Sequence, residues 1–273
     1  SRGTGITSGL DYAKGGRVLH MLRYYLGDEA FYKGLKKYLN DNAFSTVEIH
    51  QLRIAMEEVC GEDLNWFFNQ WFLASGHPLL VIDYEYDADN KQQIVKLEQI
   101  QDKTTTPIYR LSFYIDVYEN GVPKRHLVEM NSHQQDYCFD VEEKTTNVIV
   151  DAEHFLLAEI FDEKPDEWWL EQLKAPLYMD SKIALDNISE KNIIAAIQNA
   201  LTHDFWGIRL LALQKAKALE SIEDISELIK QQAVQENNPT KVRSSALTLL
   251  AQQEDNSELT PLFEAAIQEK SLL

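Results

Sequence analysis

Hydrophobic periodicity changes twice along these 273 residues, and each change limits what the stretch on either side can become. From residue 9 to about 77 the apolar positions recur at helical spacing. Phe31, Leu35, Tyr38 and Leu39 share one face, as do Ile49, Leu52, Met56 and Val59, and then Leu64, Phe67, Phe68, Trp71 and Phe72. Gly27 and Gly61 read as helix stops, Asp28 and Asp63 as caps of the following helices, and Ser45 to Glu48 as a capping box. Gly76 and Pro78 end the helical stretch.

The period then falls to 2 for about 70 residues. Strands are expected at Leu79 to Tyr86, Gln92 to Gln99, Tyr109 to Tyr118, Val122 to Met130, Asp136 to Val141 and Asn147 to Asp151, with Asn120-Gly121 as a tight hairpin turn. Six or seven short antiparallel strands would make a small β-sandwich. After Pro165 the helical period returns. Arg209-Leu210-Leu211-Ala212-Leu213 and Arg243-Ser244-Ser245-Ala246-Leu247 share Arg-x-x-Ala-Leu at an offset of 34, the length of one helical hairpin, with Asp204 and Pro239 as the expected helix starts. A HEAT- or ARM-like array of helix pairs is expected there. The division predicted is 1–78 helical, 79–160 β-sandwich and 161–273 helical repeat.

Charge and cysteines exclude more than they identify. The net charge of −18 argues against nucleic acid, whose phosphates call for clustered Lys and Arg. Residues 1–78 are close to charge-balanced, so the excess acid lies downstream. No apolar run approaches the length of a membrane helix, and the N-terminal residues have no signal-like apolar core. Localisation stays open. Cys60 and Cys138 have no metal-binding spacing and are expected as buried free thiols. None of the seven histidines stands four residues from another, and His126-Leu127-Val128-Glu129 is followed by Met130. His126 and His133 are expected on the surface, His77 in a loop, and no zinc site is encoded.

One segment carries chemistry. Asp11-Tyr12-Ala13-Lys14-Gly15-Gly16 opens a helix, and paired glycines in its first turns cost roughly 1 kcal/mol each unless backbone must pass close by. On its own, a tyrosine near Leu19 and Leu22 reads as a core residue. Together with Leu26-Gly27-Asp28-Glu29-Ala30-Phe31, Phe44-Ser45-Thr46, Asn69-Gln70-Trp71-Phe72 and Ser75-Gly76-His77-Pro78, however, the segment resembles the gluzincin aminopeptidases, the family of aminopeptidase N and leukotriene hydrolase. The resemblance covers residues 9 to about 86.

It implies that 1–78 is the helical end of a thermolysin-like catalytic domain and that Tyr12 is the phenol beside the zinc-bound scissile carbonyl. It also implies peptide substrates, and zinc held by upstream ligands, so the missing N-terminal part of that domain would be a partner and this chain alone would bind no metal and be inactive. Members place a sandwich and a repeat domain downstream, and some hold a peptide carboxylate with basic residues there. Arg209 and Arg243 could serve so, although their recurrence at one repeat position favours a structural role of pairing with neighbouring acids. The other reading is a noncatalytic aminopeptidase-like scaffold or protein-binding module.

Overall fold

In the computed structural model the backbone is described for residues 9–252 and 260–268, with side chains for 13–252 and 260–264. Two compact units divide between Glu163 and Lys164, so the boundary expected at 78/79 falls inside the first.

The first unit begins with α1 (Gly9–Asp41), α2 (Ile49–Cys60) and α3 (Asn65–Phe68), the last running into a π-turn at Asn69–Leu73. Gly27 kinks α1 without ending it: its φ of 77° and ψ of 159° suit only glycine, and helix resumes at once. The carboxylate of Asp28 pairs with Arg23 (2.7 and 2.9 Å) rather than capping. Leu39 faces solvent. The capping box lies three residues later than expected, between Glu48 and Gln51, because the Ser45 hydroxyl donates instead to the Asn42 carbonyl at the end of α1. Gly61 closes α2 in the left-handed region, donating to the Glu57 carbonyl.

Seven strands follow: β1 (Leu79–Asp87), β2 (Gln92–Gln99), β3 (Leu111–Glu119), β4 (Val122–Met130), β5 (Gln134–Asp140), β6 (Asn147–Val150) and β7 (Glu159–Asp162). They form two sheets, ordered β5-β2-β1-β7 and β4-β3-β6. Leu80, Ile82, Val95 and Leu97 are buried in one sheet, Leu111, Phe113, Ile115 and Val117 in the other. The antiparallel expectation fails at one place. β7 pairs parallel with β1, Leu79 opposite Glu159, and the Tyr84 hydroxyl fixes the pair by donating to Asp162 (2.8 Å). Four residues are too few to show a period, so the sequence carries no signal for it.

β3 starts two residues later than expected. The N–H and C=O of Tyr109 are both taken by the side-chain amide of Gln99 (2.9 and 2.8 Å). Those of Arg110 are taken by the amide of Gln70 (3.0 and 2.8 Å). With their backbone groups so satisfied, the two residues need no strand partner.

Three further expectations are corrected. Cys138 is exposed, on the solvent face of β5, and Cys60 is half-buried; both are free. The His126 ring packs on Phe139 (4.4 Å between centroids) with Nε2 buried, because the inward alternation of β4 carries it under the sheet, and burial holds its pKa below the usual histidine value. His133 lies near Glu98 (3.4 Å), and His77 bonds Glu159 (2.9 Å).

The second unit comprises α4 (Asp166–Gln172), α5 (Tyr178–Asn187), α6 (Ile193–Leu201), α7 (Trp206–Ala216), a 3-10 turn at Glu223–Ile225, α8 (Ser226–Val234), α9 (Thr240–Ala251) and α10 (Thr260–Gln268). α6 packs on α7, α8 on α9, and α7 on α9. Arg209 and Arg243 are each the fourth residue of their helix, and Ile208 with Ala212 and Val242 with Ala246 are buried alike. Phe205, not Asp204, occupies the N-cap of α7. Arg209 donates to neutral acceptors, the carbonyls of His203 and Asp204 and the Asn238 side chain, where acid partners had been expected. Arg243 donates to the Ala233 carbonyl.

Asp151 supplies a test of the first unit. It is buried, and burial pushes its pKa up to about 7 against the pull of two backbone N–H donors. A carboxyl raised in the folded state gives its stabilisation in full below the unfolded pKa near ~4 and loses it as pH rises through the folded value. Between pH 5 and 8 the chain should therefore lose about 2–3 kcal/mol that Asp151→Asn does not lose. Urea titrations of both proteins at the two pH values measure this, and equal losses would contradict it.

Candidate functional site

Tyr12 lies on the backbone of α1, in its first turns; its side chain is outside the described residues. Just beyond it Ala13, Lys14, Gly16 and Arg17 are exposed, and Val18, Met21 and Leu22 are buried against its own unit. A methyl group built on Gly15 or Gly16 would meet none of the described residues within 4 Å. The contrast is Gly34 on the same helix, where it would come within 2.4 Å of Met56 Sδ and 3.3 Å of Met56 Cα, so α1 packs closely on α2 there. No described residue uses the room that the Gly15-Gly16 pair provides.

Downstream of Tyr12 the helix is tied to the loop after β6. Arg17 donates to the His154 carbonyl, and the ring of Tyr24 stacks on Phe155 at 4.1 Å with His20 edge-on to both. The loop is held in turn by Asp151, whose two carboxylate oxygens accept the N–H groups of Phe155 (3.2 Å) and Leu156 (3.1 Å). Asp151 and His154 both adopt positive φ, 54° and 52°, so the turn is a tight one that those short side-chain and backbone bonds stabilise. Sequence reading placed Asp151 at a strand end and missed this latch.

A cavity of about 190 Å³ is lined from α1, α3 and its π-turn, the start of β3, the end of β4 and the loop after β6. Its walls include buried Met21, Phe67, Leu111 and Leu156. Arg110 and Glu129 flank it as an ion pair (3.3 Å), and the Arg110 guanidinium lies over the Trp66 ring at 4.5 Å. The Tyr25 hydroxyl donates to Glu62 (2.9 Å), and burial, then that bond, raise its pKa. These groups can bind and orient. Sequence reading missed the cavity because its residues come from five separate segments.

Arg209, a candidate for holding a carboxylate, already spends its terminal nitrogens on carbonyls and Asn238. Among the described residues no three or more His, Cys, Asp or Glu are placed to hold a metal ion. These residues therefore do not make the zinc site that the resemblance implies for a whole enzyme, and no step is derived through it.

Residues 6–71 match the family model described as the Peptidase family M1 domain. Aminopeptidase N of Lactococcus lactis subsp. lactis is 41% identical over 73 residues, 27% of this chain and 9% of that protein. Aminopeptidase N of Streptomyces lividans is 40% identical over 81 residues, covering 30% and 10%. Aminopeptidase N of Escherichia coli K12 is 25% identical over 143 residues, 47% and 16%. The chain thus matches only about a tenth to a sixth of the length of these curated relatives. The crystal structure of Legionella pneumophila aminopeptidase A in complex with aspartic acid superposes on 96% of this chain and 37% of its own at a TM-score of 0.73, with 14% identity. Residues 6–71 thus resemble the Peptidase family M1 domain, and over nearly its whole length the chain shares the fold of that solved structure.

Proposed function

We propose that these residues are the C-terminal part of a zinc aminopeptidase that removes N-terminal residues from peptides, with Tyr12 as its oxyanion donor. The carrying observation is the position of Tyr12 inside the M1-matching segment, at the start of a helix whose paired glycines meet none of the described residues. A face left open in that way fits a neighbour supplied by the rest of a catalytic domain, which would bring the zinc ligands. Residues 1–78 would then be the end of that domain, the two sheets a sandwich leaning on it, and α4–α10 a HEAT-like array.

In this reading the chain's own contribution is a phenol. Its O–H donates to the oxygen that gains charge as the peptide carbonyl becomes tetrahedral, and a donor fixed in place beforehand costs no reorganisation when the charge develops. The anchors at Arg17, Tyr24 and Asp151 give the helix the rigidity such a donor needs.

Two outcomes follow. In the whole protein, Tyr12→Phe should lower kcat by about 100-fold to 1,000-fold with little change in KM and none in bound zinc. Steady-state kinetics with an aminoacyl chromogenic substrate and metal analysis measure this; activity within a fewfold of wild type would make Tyr12 a core tyrosine. The 273-residue chain alone should show less than stoichiometric zinc and no hydrolysis, whereas one tightly bound zinc with chelator-sensitive cleavage would refute the reading that the ligands lie elsewhere.

A further inference from the structure

The cavity beside α1 has one wall buried to the level of a protein core and a charged mouth, and the two parts differ enough to specify a ligand. Met21, Phe67, Leu111 and Leu156 are each less than 9% exposed. Protein interiors rarely leave voids larger than a water molecule. A volume of about 190 Å³ admits one six-membered ring, since an apolar cavity of about 150 Å³ takes up benzene.

At the mouth, among the described residues, Arg110 donates one side-chain hydrogen bond, to Glu129, of the five that a guanidinium can make. That pair is long, at 3.3 Å, and about half exposed on both sides, so opening it costs at most about 1 kcal/mol. The guanidinium is nonetheless fixed: Trp66 lies beneath it, and its backbone is held by Gln70. A positioned cation and a positioned carboxylate thus stand side by side over a hole the size of a ring.

Charge decides among ligands. A lone carboxylate would reach Arg110 but bring its charge toward Glu129 and Glu62 on a chain of net −18. A lone ammonium would reach Glu129 and meet Arg110. A zwitterion satisfies both and adds no net charge. We infer that this cavity binds a free aromatic α-amino acid, its ring between Met21, Phe67, Leu111 and Leu156, its carboxylate on Arg110 and its ammonium on Glu129. The ligand belongs to the chemical class an aminopeptidase releases. The inference stands on the cavity and not on the proposed activity.

The test uses the 273-residue chain and no turnover, so its failure leaves the aminopeptidase reading untouched. Methyl resonances of Met21, Leu111 and Leu156 are followed as L-phenylalanine is added to millimolar concentration. Saturable shifts at these methyls are expected. Phenethylamine, 3-phenylpropionate and N-acetylphenylalaninamide should each bind about tenfold more weakly or worse, a factor of ten per lost charged contact being about 1.4 kcal/mol. Glu129→Gln, at an exposed position that leaves the fold intact, should weaken L-phenylalanine and phenethylamine about tenfold and leave 3-phenylpropionate unchanged. Three results would each overturn the inference: no saturable shift, equal binding of the blocked amide, or shifts confined to other methyls.

Discussion

Two glutamine side chains hold the first unit together. The amide of Gln99 closes a pair of hydrogen bonds on Tyr109, and that of Gln70 closes a pair on Arg110, so one short irregular segment is bonded to a sheet on one side and to the helical layer on the other. Each amide supplies the donor and the acceptor that a neighbouring strand would have supplied, and a buried peptide group left without them would cost about 1–3 kcal/mol. Trp71 adds contact at the same place, its ring 4.8 Å from that of Tyr109. Gln70 lies within the M1-matching segment, and through it that segment and the sheets become one compact unit.

The consequence reaches the proposed catalytic tyrosine through α1. The helix is buried along Val18, Met21 and Leu22, clasped at Gly34 by α2, and pinned by Arg17 and Tyr24 to the loop that Asp151 shapes. The first turns, where the backbone of Tyr12 sits, precede all of these anchors in the chain. If Tyr12 is the oxyanion donor proposed above, rigid support along the helix that carries it would spare reorganisation as charge develops. The same anchors build the cavity wall, since Phe155 and Leu156 line it.

Much of this fold was legible because alternation and helical spacing are statements about burial. β1 to β4 begin and end within two residues of where period 2 placed them, and the fourth-residue register of Arg209 and Arg243 follows from a 34-residue offset. What escaped was polar and nonlocal. Gln70, Gln99 and Asp151 have no periodic signature, and their partners lie in other segments. β7 is too short to show a pattern, and the choice of Glu48 over Ser45 as cap turned on a competing bond to Asn42. The Tyr12 segment was legible only as a resemblance, because a single tyrosine beside paired glycines has no periodic signature of its own; the cavity was not legible at all.

Hydrogen exchange at the Arg110 amide tests the account most directly. This N–H has no backbone partner, so its protection depends on Gln70. If the two amides fasten the helices to the sheets, it should exchange only with the global opening that releases the core amides of β3 such as Phe113, and Gln70→Met should accelerate Arg110 far more than Phe113. An Arg110 amide that exchanges at the rate of an unprotected loop in the unaltered chain would contradict the account.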